Sequence, residues 1–286
     1  MDNIFKISED GKIIYGLKDK IKCPSLIKIP EGIKIIYHSS FSGLKSIEQV
    51  ILPNSITKIC MNAFDGCENL KSINIPNGVI CIESDAFCRC KSLENIIIPD
   101  SVKYIGNSAF FWCASLRKIK LSNSMTIISE YIFNGCENLQ EIIFPNDVIA
   151  IEYGAFSNCT NLKNINIPDS VIVIEERAFY NCYNLEQVNM SYNLKYIKFD
   201  SFGGCNKLKK IIISKYTKTN PDAFPNNCKV IVSSEMYDIK SKMLNSPLFK
   251  DTFNKNLPNM VRKILTENNT EFELSDEEKI INFLKL

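Results

Sequence analysis

The residues of this chain with the widest choice of chemistry are its twelve cysteines. Thiols at suitable spacings form disulfides or bind zinc. Seven of them, however, recur at intervals of 23 residues: Cys67, Cys90, Cys113, Cys136, Cys159, Cys182 and Cys205. No CxxC pair occurs, since Cys88 and Cys90 are separated by one residue, and His38 is the single histidine. The sequence therefore predicts reduced, buried thiols, with no disulfide framework, no metal site and no cofactor.

Nine phenylalanines define the repeat that positions these cysteines. Their spacing is 23 residues except in the last interval, which is 22: Phe41, Phe64, Phe87, Phe110, Phe133, Phe156, Phe179, Phe202 and Phe224. Apolar residues held in phase at such a period are typical of a stacked solenoid. Equivalent residues of stacked coils point the same way at a spacing of about 4.8 Å, which suits packing better than the facing geometry of a disulfide.

Each repeat unit predicts one strand followed by one tight turn. The segment L-x-x-I-x-I, as in Leu70, Ile73 and Ile75, ends with an alternation of period two, and a proline such as Pro76 usually follows it. This pattern favours a short strand with one buried face. The later string A-F-x-x-C-x-x-L has apolar residues three apart, which favours a short helical or 3₁₀ turn. The predicted fold class is therefore α/β.

The period divides the chain into three segments. Residues 1–24 are out of phase and predict a β-hairpin around Asp10-Gly11 that caps the first coil. Residues 25–232 form the repeat array. Residues 233–286 lose the period and predict helices, which form either a C-terminal cap, the favoured interpretation, or a small separate module.

Composition excludes several classes of function. Lys and Arg total 34 against 32 for Asp and Glu, so a formal charge of +2 provides no basic field for nucleic acid. No run approaches the roughly 18 apolar residues of a membrane span, and the start MDNIFKISEDGK lacks the basic and apolar regions of a signal peptide. We therefore expect no membrane insertion and a cytoplasmic location, with surface display only by a non-classical route. Enzyme activity is not expected, because no phosphate-binding loop or nucleophile elbow occurs.

The unit consensus IPxxVxxIxxxAFxxCxxLxxI resembles the BspA-like branch of leucine-rich repeats over about residues 25–230. The resemblance implies a right-handed solenoid with a parallel sheet along one side. It also implies a non-enzymatic role in binding other proteins, often in adhesin-like interaction at the surface of host-associated microbes. Cysteine at the periodic position is common in that family.

Alternate strand residues are predicted to point outward and to form columns on what we call the sheet face. A mixed apolar and charged patch on this face is typical of protein interfaces and contains Ile97, Lys118, Lys120, Glu141 and Ile143. The alternative is that β-branched residues merely suit exposed strands. Further candidates on this face are Asn74, Asn166 and Asn189. The last two either contact a partner or pair with each other along the ladder.

Phe111 and Trp112 form a second candidate, which we call the turn patch. They follow the buried Phe110 at positions where most other units have small or polar residues. Tryptophan is enriched at interface hot spots. The alternative is that Trp112 lies flat over neighbouring turns.

Two hypotheses for function follow. The first is a protein-binding solenoid that uses its sheet face. The second is an intracellular structural scaffold in which the C-terminal helices bind partners or oligomerise. Both predict a protein partner.

Overall fold

Successive repeat units stack as the coils of a β-solenoid. The structure, a computed structural model, describes residues 4–233, so the predicted helices after Ser233 lie outside the described residues. In chain order the strands are β1 (Phe5–Ile7), β2 (Ile13–Leu17), β3 (Leu26–Lys28), β4 (Ile35–Ile36), β5 (Gln49–Ile51), β6 (Lys58–Ile59), β7 (Ser72–Ile73), β8 (Cys81–Ile82), β9 (Asn95–Ile97), β10 (Tyr104–Ile105), β11 (Lys118–Lys120), β12 (Ile127–Ile128), β13 (Glu141–Ile143), β14 (Ala150–Ile151), β15 (Asn164–Asn166), β16 (Val173–Ile174), β17 (Gln187–Asn189), β18 (Tyr196–Ile197), β19 (Lys210–Ser214), β20 (Lys218–Thr219) and β21 (Lys229–Ser233).

The first ladder consists of the odd-numbered strands from β3 to β21. Neighbouring strands are parallel, and their register follows the repeat, as when Lys118 pairs with Asn95 on one side and Glu141 on the other. The ladder is divided into the sheets β3-β5-β7, β9-β11-β13, β15-β17 and β19-β21. Strand pairing is thus interrupted at three places: between β7 and β9, between β13 and β15, and between β17 and β19.

A second parallel ladder contains the even-numbered strands, most of them two residues long. The parallel sheet expected along one side is present as the first ladder, and the second ladder adds another, because pairs such as Tyr104 and Ile105 also form strands. The predicted hairpin is present, with β1 antiparallel to β2 and Gly11 in its turn at φ +71°. Strand β2 also pairs in parallel with β4, so the hairpin continues the second ladder.

The α/β assignment was wrong for the described part of the chain, since no helix occurs between residues 4 and 233. The A-F-x-x-C-x-x-L string forms separate turns, with the N–H of Asp65 donating to the carbonyl of Asn62 at 3.1 Å and that of Cys67 to Phe64 at 3.1 Å. Asn62 (φ 57°) and Gly66 (φ 70°) are left-handed. A right-handed helix cannot continue through such residues. Apolar spacing of three here reflects consecutive turns.

The core lies between the two ladders and is organised around the phenylalanine column. Neighbouring rings are stacked with centroids 5.1–5.7 Å apart. Each periodic cysteine directs its thiol at the carbonyl of a phenylalanine in the preceding coil, as in Cys90 Sγ to Phe64 O at 3.2 Å. The seven periodic cysteines are all buried, as the repeat predicts. Burial raises the pKa of the Cys67 thiol to about 12, so it stays protonated at neutral pH.

Candidate binding surfaces

All eight candidates on the sheet face are exposed side chains, as the period-two pattern predicts. Strands β9 and β11 show the alternation most clearly, with Ile96 and Ile119 buried between exposed neighbours. Ile97 is 72% exposed and Ile143 is 52% exposed, the two highest values among the isoleucines of the first ladder. The predicted outward columns therefore exist, and their apolar members are accessible.

Asn74 has a structural role that the sequence did not reveal. Its side-chain oxygen accepts the N–H of Leu52 at 2.8 Å, and its side-chain nitrogen donates to the carbonyl of the same residue at 2.8 Å. Just after β7 ends, the Asn74 side-chain amide therefore makes the two hydrogen bonds to Leu52 that a backbone peptide group of a neighbouring strand would otherwise make. Because both of these amide atoms are engaged, Asn74 is a weaker candidate for contact with a partner.

Four other sheet-face candidates pair with each other across neighbouring strands. Lys118 Nζ lies 2.8 Å from Glu141 Oε2, and both side chains are about half exposed. Asn189 donates its side-chain amide to the Asn166 oxygen at 2.5 Å. The asparagines therefore pair along the ladder, which was one of the two alternatives. Exposed pairs of this kind contribute roughly 0.2–1 kcal/mol each and stay accessible to a partner.

A groove of about 590 Å³ opens where the first ladder is interrupted between β7 and β9. It brings together three candidates, namely Asn74, Ile97 and Lys120, but not the others. Apolar side chains line it alongside Asp100, whose pKa is lowered chiefly by the hydrogen bonds from Asn123 and in smaller part by the Lys120 charge. The groove thus combines an apolar lining with one anionic and one cationic side chain.

In the turn patch Trp112 is exposed and Phe111 is half-buried, and the indole lies over the next coil. Trp112 is 41% exposed and has φ 55°, at a repeat position that is glycine in several other coils. A Cβ added to Gly135 would lie 3.0 Å from three atoms of the indole, so one ring face rests on that glycine. Phe111 packs beside it, with ring centroids 6.4 Å apart. Trp112 therefore covers the neighbouring turn and is still accessible.

The turn patch continues into aromatic residues that the sequence did not single out. The Tyr131 ring lies 6.5 Å from Phe111 and 5.1 Å from Tyr153 between centroids. A Cβ on Gly154 would clash with Tyr131 just as one on Gly135 would with Trp112. The sequence contained a signal, because Trp112 and Tyr131 are each followed by a glycine 23 positions later.

A second missed feature is a buried carboxyl on the side of the second ladder. Glu152 is 5% exposed and accepts the N–H of Glu130 at 3.1 Å. Burial, and then the charges of Glu130 and Glu175, raise its pKa to about 7. Its carboxyl therefore titrates near neutrality.

A third missed feature is a mixed cluster of His38, Cys60 and Glu83. Their ligand atoms all lie within 4.8 Å of one another. Burial, and then the Glu83 charge, raise the pKa of the Cys60 thiol to about 11. The signal in the sequence was the 23-residue interval between Cys60 and Glu83.

These features define the class of protein as a repeat solenoid, in which stacked coils present extended surfaces on both ladders and on the turns. The family model for BspA type leucine-rich repeats matches residues 21–140 and 103–232, in six copies. The chain therefore belongs to the BspA-type leucine-rich repeat family.

The chain is also similar to several solved structures. The leucine-rich repeat protein of T. pallidum is 29% identical over 65% of this chain and 89% of its own, with a TM-score of 0.58. A leucine-rich cell surface protein of Faecalibacterium prausnitzii is 21% identical over 83% of this chain and 96% of its own, with a TM-score of 0.38. The pneumococcal vaccine antigen PcpA is 21% identical over 84% and 80%, with a TM-score of 0.40. No curated protein sequence matches the chain.

Between residues 4 and 233, no helix has the length and apolarity to cross a membrane.

Proposed function

We propose that this protein is a non-enzymatic binding protein that holds an extended segment of a protein partner in the groove between β7 and β9. The observation that carries the proposal is the groove itself, which lies on the predicted sheet face and contains Asn74, Ile97 and Lys120. An isoleucine that is 72% exposed at such a site is apolar area that a partner would remove from water.

The side chains of the groove favour a peptide in which apolar and charged residues alternate. Ile97 offers an apolar contact, while Lys120 and Asp100 offer charges of opposite sign at the rim. Interfaces commonly place apolar contacts at the centre and charged ones at the periphery. Extended peptides also bind where a sheet is open, by adding main-chain hydrogen bonds. The resemblance to the BspA-like family supports a role in which this protein binds its partner at a cell surface.

A photo-crosslinking amino acid placed at position 97 of the full chain tests the proposal. The matched control has the same amino acid at Ile212, which is also an exposed sheet-face isoleucine but is 39% exposed and not part of the groove. In a lysate of the native cell, position 97 should form a discrete cross-linked product, and Lys120→Glu in the same chain should abolish it. Identical products from both positions would contradict a specific groove.

The turn patch supports a second contact region for the same kind of partner. Trp112→Ala removes an exposed indole that is not part of the phenylalanine column, so we expect weaker partner binding with the melting temperature nearly unchanged. Thermal unfolding and cross-linking yield, measured on the same variant, separate these effects. A large loss of thermal stability with full cross-linking yield would assign Trp112 to the packing of the turns.

A further inference from the structure

Three side chains of metal-binding type meet near the N-terminal end of the array. His38, Cys60 and Glu83 come from three successive coils, and one ligand atom of each lies within 4.8 Å of the other two. His38 Nδ1 is 3.9 Å from Glu83 Oε2. Between residues 4 and 233, this is the one group of three such residues that meets the distance.

The solenoid brings these residues together by stacking. Cys60 and Glu83 occupy one repeat position, directly after the inward isoleucines of β6 and β8. His38 is one residue beyond the same position in the preceding coil. The next coil has Gly106 there, which has no ligand atom in its side chain, so the cluster ends. The three donors are therefore specific to these coils and are not a general property of the repeat.

The surroundings hold the donors in place but leave one side open. Glu83 Oε2 accepts the N–H of Met61 at 2.9 Å, which fixes the carboxylate. Cys60 is 3% exposed, whereas the His38 side chain is 42% exposed at the mouth of the cluster. Lys58 Nζ lies 2.5 Å from Glu83 Oε1. The Lys58 ammonium group occupies the place beside Glu83 that a metal ion would compete for. The Lys58 side chain is 40% exposed, so it can turn into solvent when a metal ion binds.

We propose that His38, Cys60 and Glu83 form a three-ligand site for Zn²⁺. An imidazole nitrogen, a thiolate and a carboxylate match the ligands of zinc, whereas Ca²⁺ and Mg²⁺ require mainly oxygen. On binding, the Cys60 thiol releases its proton to solvent, and the thiolate and carboxylate then balance the charge of the dication. Zinc bonds of about 2.0–2.3 Å require the ligand atoms to approach one another by up to about 1 Å. The His38 ring is 42% exposed and contacts the Tyr37 ring edge-on at 4.7 Å between centroids, so the proposal requires this ring to move along that contact.

Such a site would act on the array as a clamp across three coils. In a repeat protein each coil contacts only its neighbours, so a ligand shared by three coils strengthens two interfaces at once. Binding to the folded state alone raises its stability. Zn²⁺ should therefore protect the N-terminal coils more than the distant ones.

Titration of the full chain with Co²⁺ under reducing conditions tests the site, because a cobalt–thiolate bond gives a near-ultraviolet charge-transfer band. Wild type should show the band, and Zn²⁺ should displace it. Cys60→Ser should abolish it, whereas Cys23→Ser, which alters a partly buried thiol outside the cluster, should retain it. A band that persists in Cys60→Ser would overturn the proposal, as would its absence from wild type.

Two further variants exclude loss of folding as the cause. His38→Ala alters an exposed side chain, and it should weaken Zn²⁺ binding by at least about tenfold, since even supporting residues of metal sites contribute 10–100-fold. Lys58→Met removes the competing cation and should tighten binding. If His38→Ala and Lys58→Met both bind Zn²⁺ as wild type does, the cluster is not the site.

Discussion

Single residues in this protein are governed by whether they follow the 23-residue period. Phe133, for example, is fully buried between two other rings of its column, as its phase predicts. Glu152 also has a regular position, but its burial depends on what surrounds it on the second ladder. Phase therefore predicts the direction of a side chain, and it does not predict the environment of one that points away from the core.

Glu152 should make stability depend on pH. Its pKa in the folded state, about 7, lies above the ordinary value of 4.5, so the folded protein binds more protons than the unfolded chain between these values. The free energy of unfolding should therefore fall as pH rises through this window. Glu152→Gln retains an oxygen for the Glu130 N–H and should be the more stable protein at pH 8, by about 1–3 kcal/mol.

Urea unfolding of both proteins at pH 5 and pH 8 measures this effect. Glu141→Gln changes an exposed carboxylate on the sheet face and serves as the control. A Glu152→Gln variant that loses stability between pH 5 and 8 as steeply as wild type does would rule out Glu152 as the source.

At the scale of elements, the sequence predicted the strands of the first ladder and missed the nature of the turns. Spacing of three is shared by 3₁₀ helix and by consecutive turns, so the pattern alone could not distinguish them. The left-handed positions would have done so, but residues such as Ser39, Arg89 and Tyr131 occupy them in some coils. Apart from glycine, asparagine, aspartate and histidine, residue type does not indicate positive φ.

Asn74 should contribute to the stability of the interrupted ladder. Asn74→Ala leaves the N–H and carbonyl of the buried Leu52 without their side-chain partners, so we expect a loss of about 1–3 kcal/mol in the free energy of unfolding. Asn189→Ala removes an exposed side chain-to-side chain bond and should cost less than about 1 kcal/mol. Chemical denaturation compares the two variants, and equal losses would mean that Asn74 does not support Leu52.

The turn patch offers another test at this scale. Gly135→Ala places a Cβ 3.0 Å from the indole of Trp112, at a residue whose φ is +75°. We expect two losses of stability, one from the strain of an alanine at positive φ and one from the contact of its Cβ with the indole. Trp112→Ala should remove only the second loss. A double-mutant cycle measured by thermal unfolding separates them. Additive effects of the two substitutions would show that the ring does not rest on Gly135.

At the scale of the described array, residues 4–233, the sequence predicted stacking because the turns of successive coils repeat the same backbone bonds. The N–H of Phe64 donates to Ala86 at 2.8 Å, and the N–H of Phe156 to Ala178 at 2.7 Å. The groove at the interruption between β7 and β9 was not predictable, because Ser72, Asn95 and their neighbours keep the regular phase on both sides of it. Local departures from pairing depend on the packing of adjacent coils, which a consensus does not describe.

Phe133→Ala should reveal how far disruption spreads along the array. The cavity should cost roughly 3–5 kcal/mol. Because coils contact only their neighbours, hydrogen exchange should rise first in the coils of Phe110, Phe133 and Phe156 and change less near Phe41. Equal loss of protection at all coils would show that the described array unfolds as one cooperative unit.

The repeated turn bonding of successive coils also bears on how such a chain changes over generations. A gene duplication or deletion of one whole repeat places each remaining phenylalanine, cysteine and strand against an equivalent neighbour, since the pairing register is itself 23 residues. A change of one residue within a strand would turn the following side chains to the wrong face. The array can absorb such a change elsewhere, since Phe202 and Phe224 are 22 residues apart and their rings still stack at 5.5 Å. We therefore expect array length to change by whole repeats, and features confined to particular coils, such as Trp112 on Gly135, to be lost or copied with the coils that carry them.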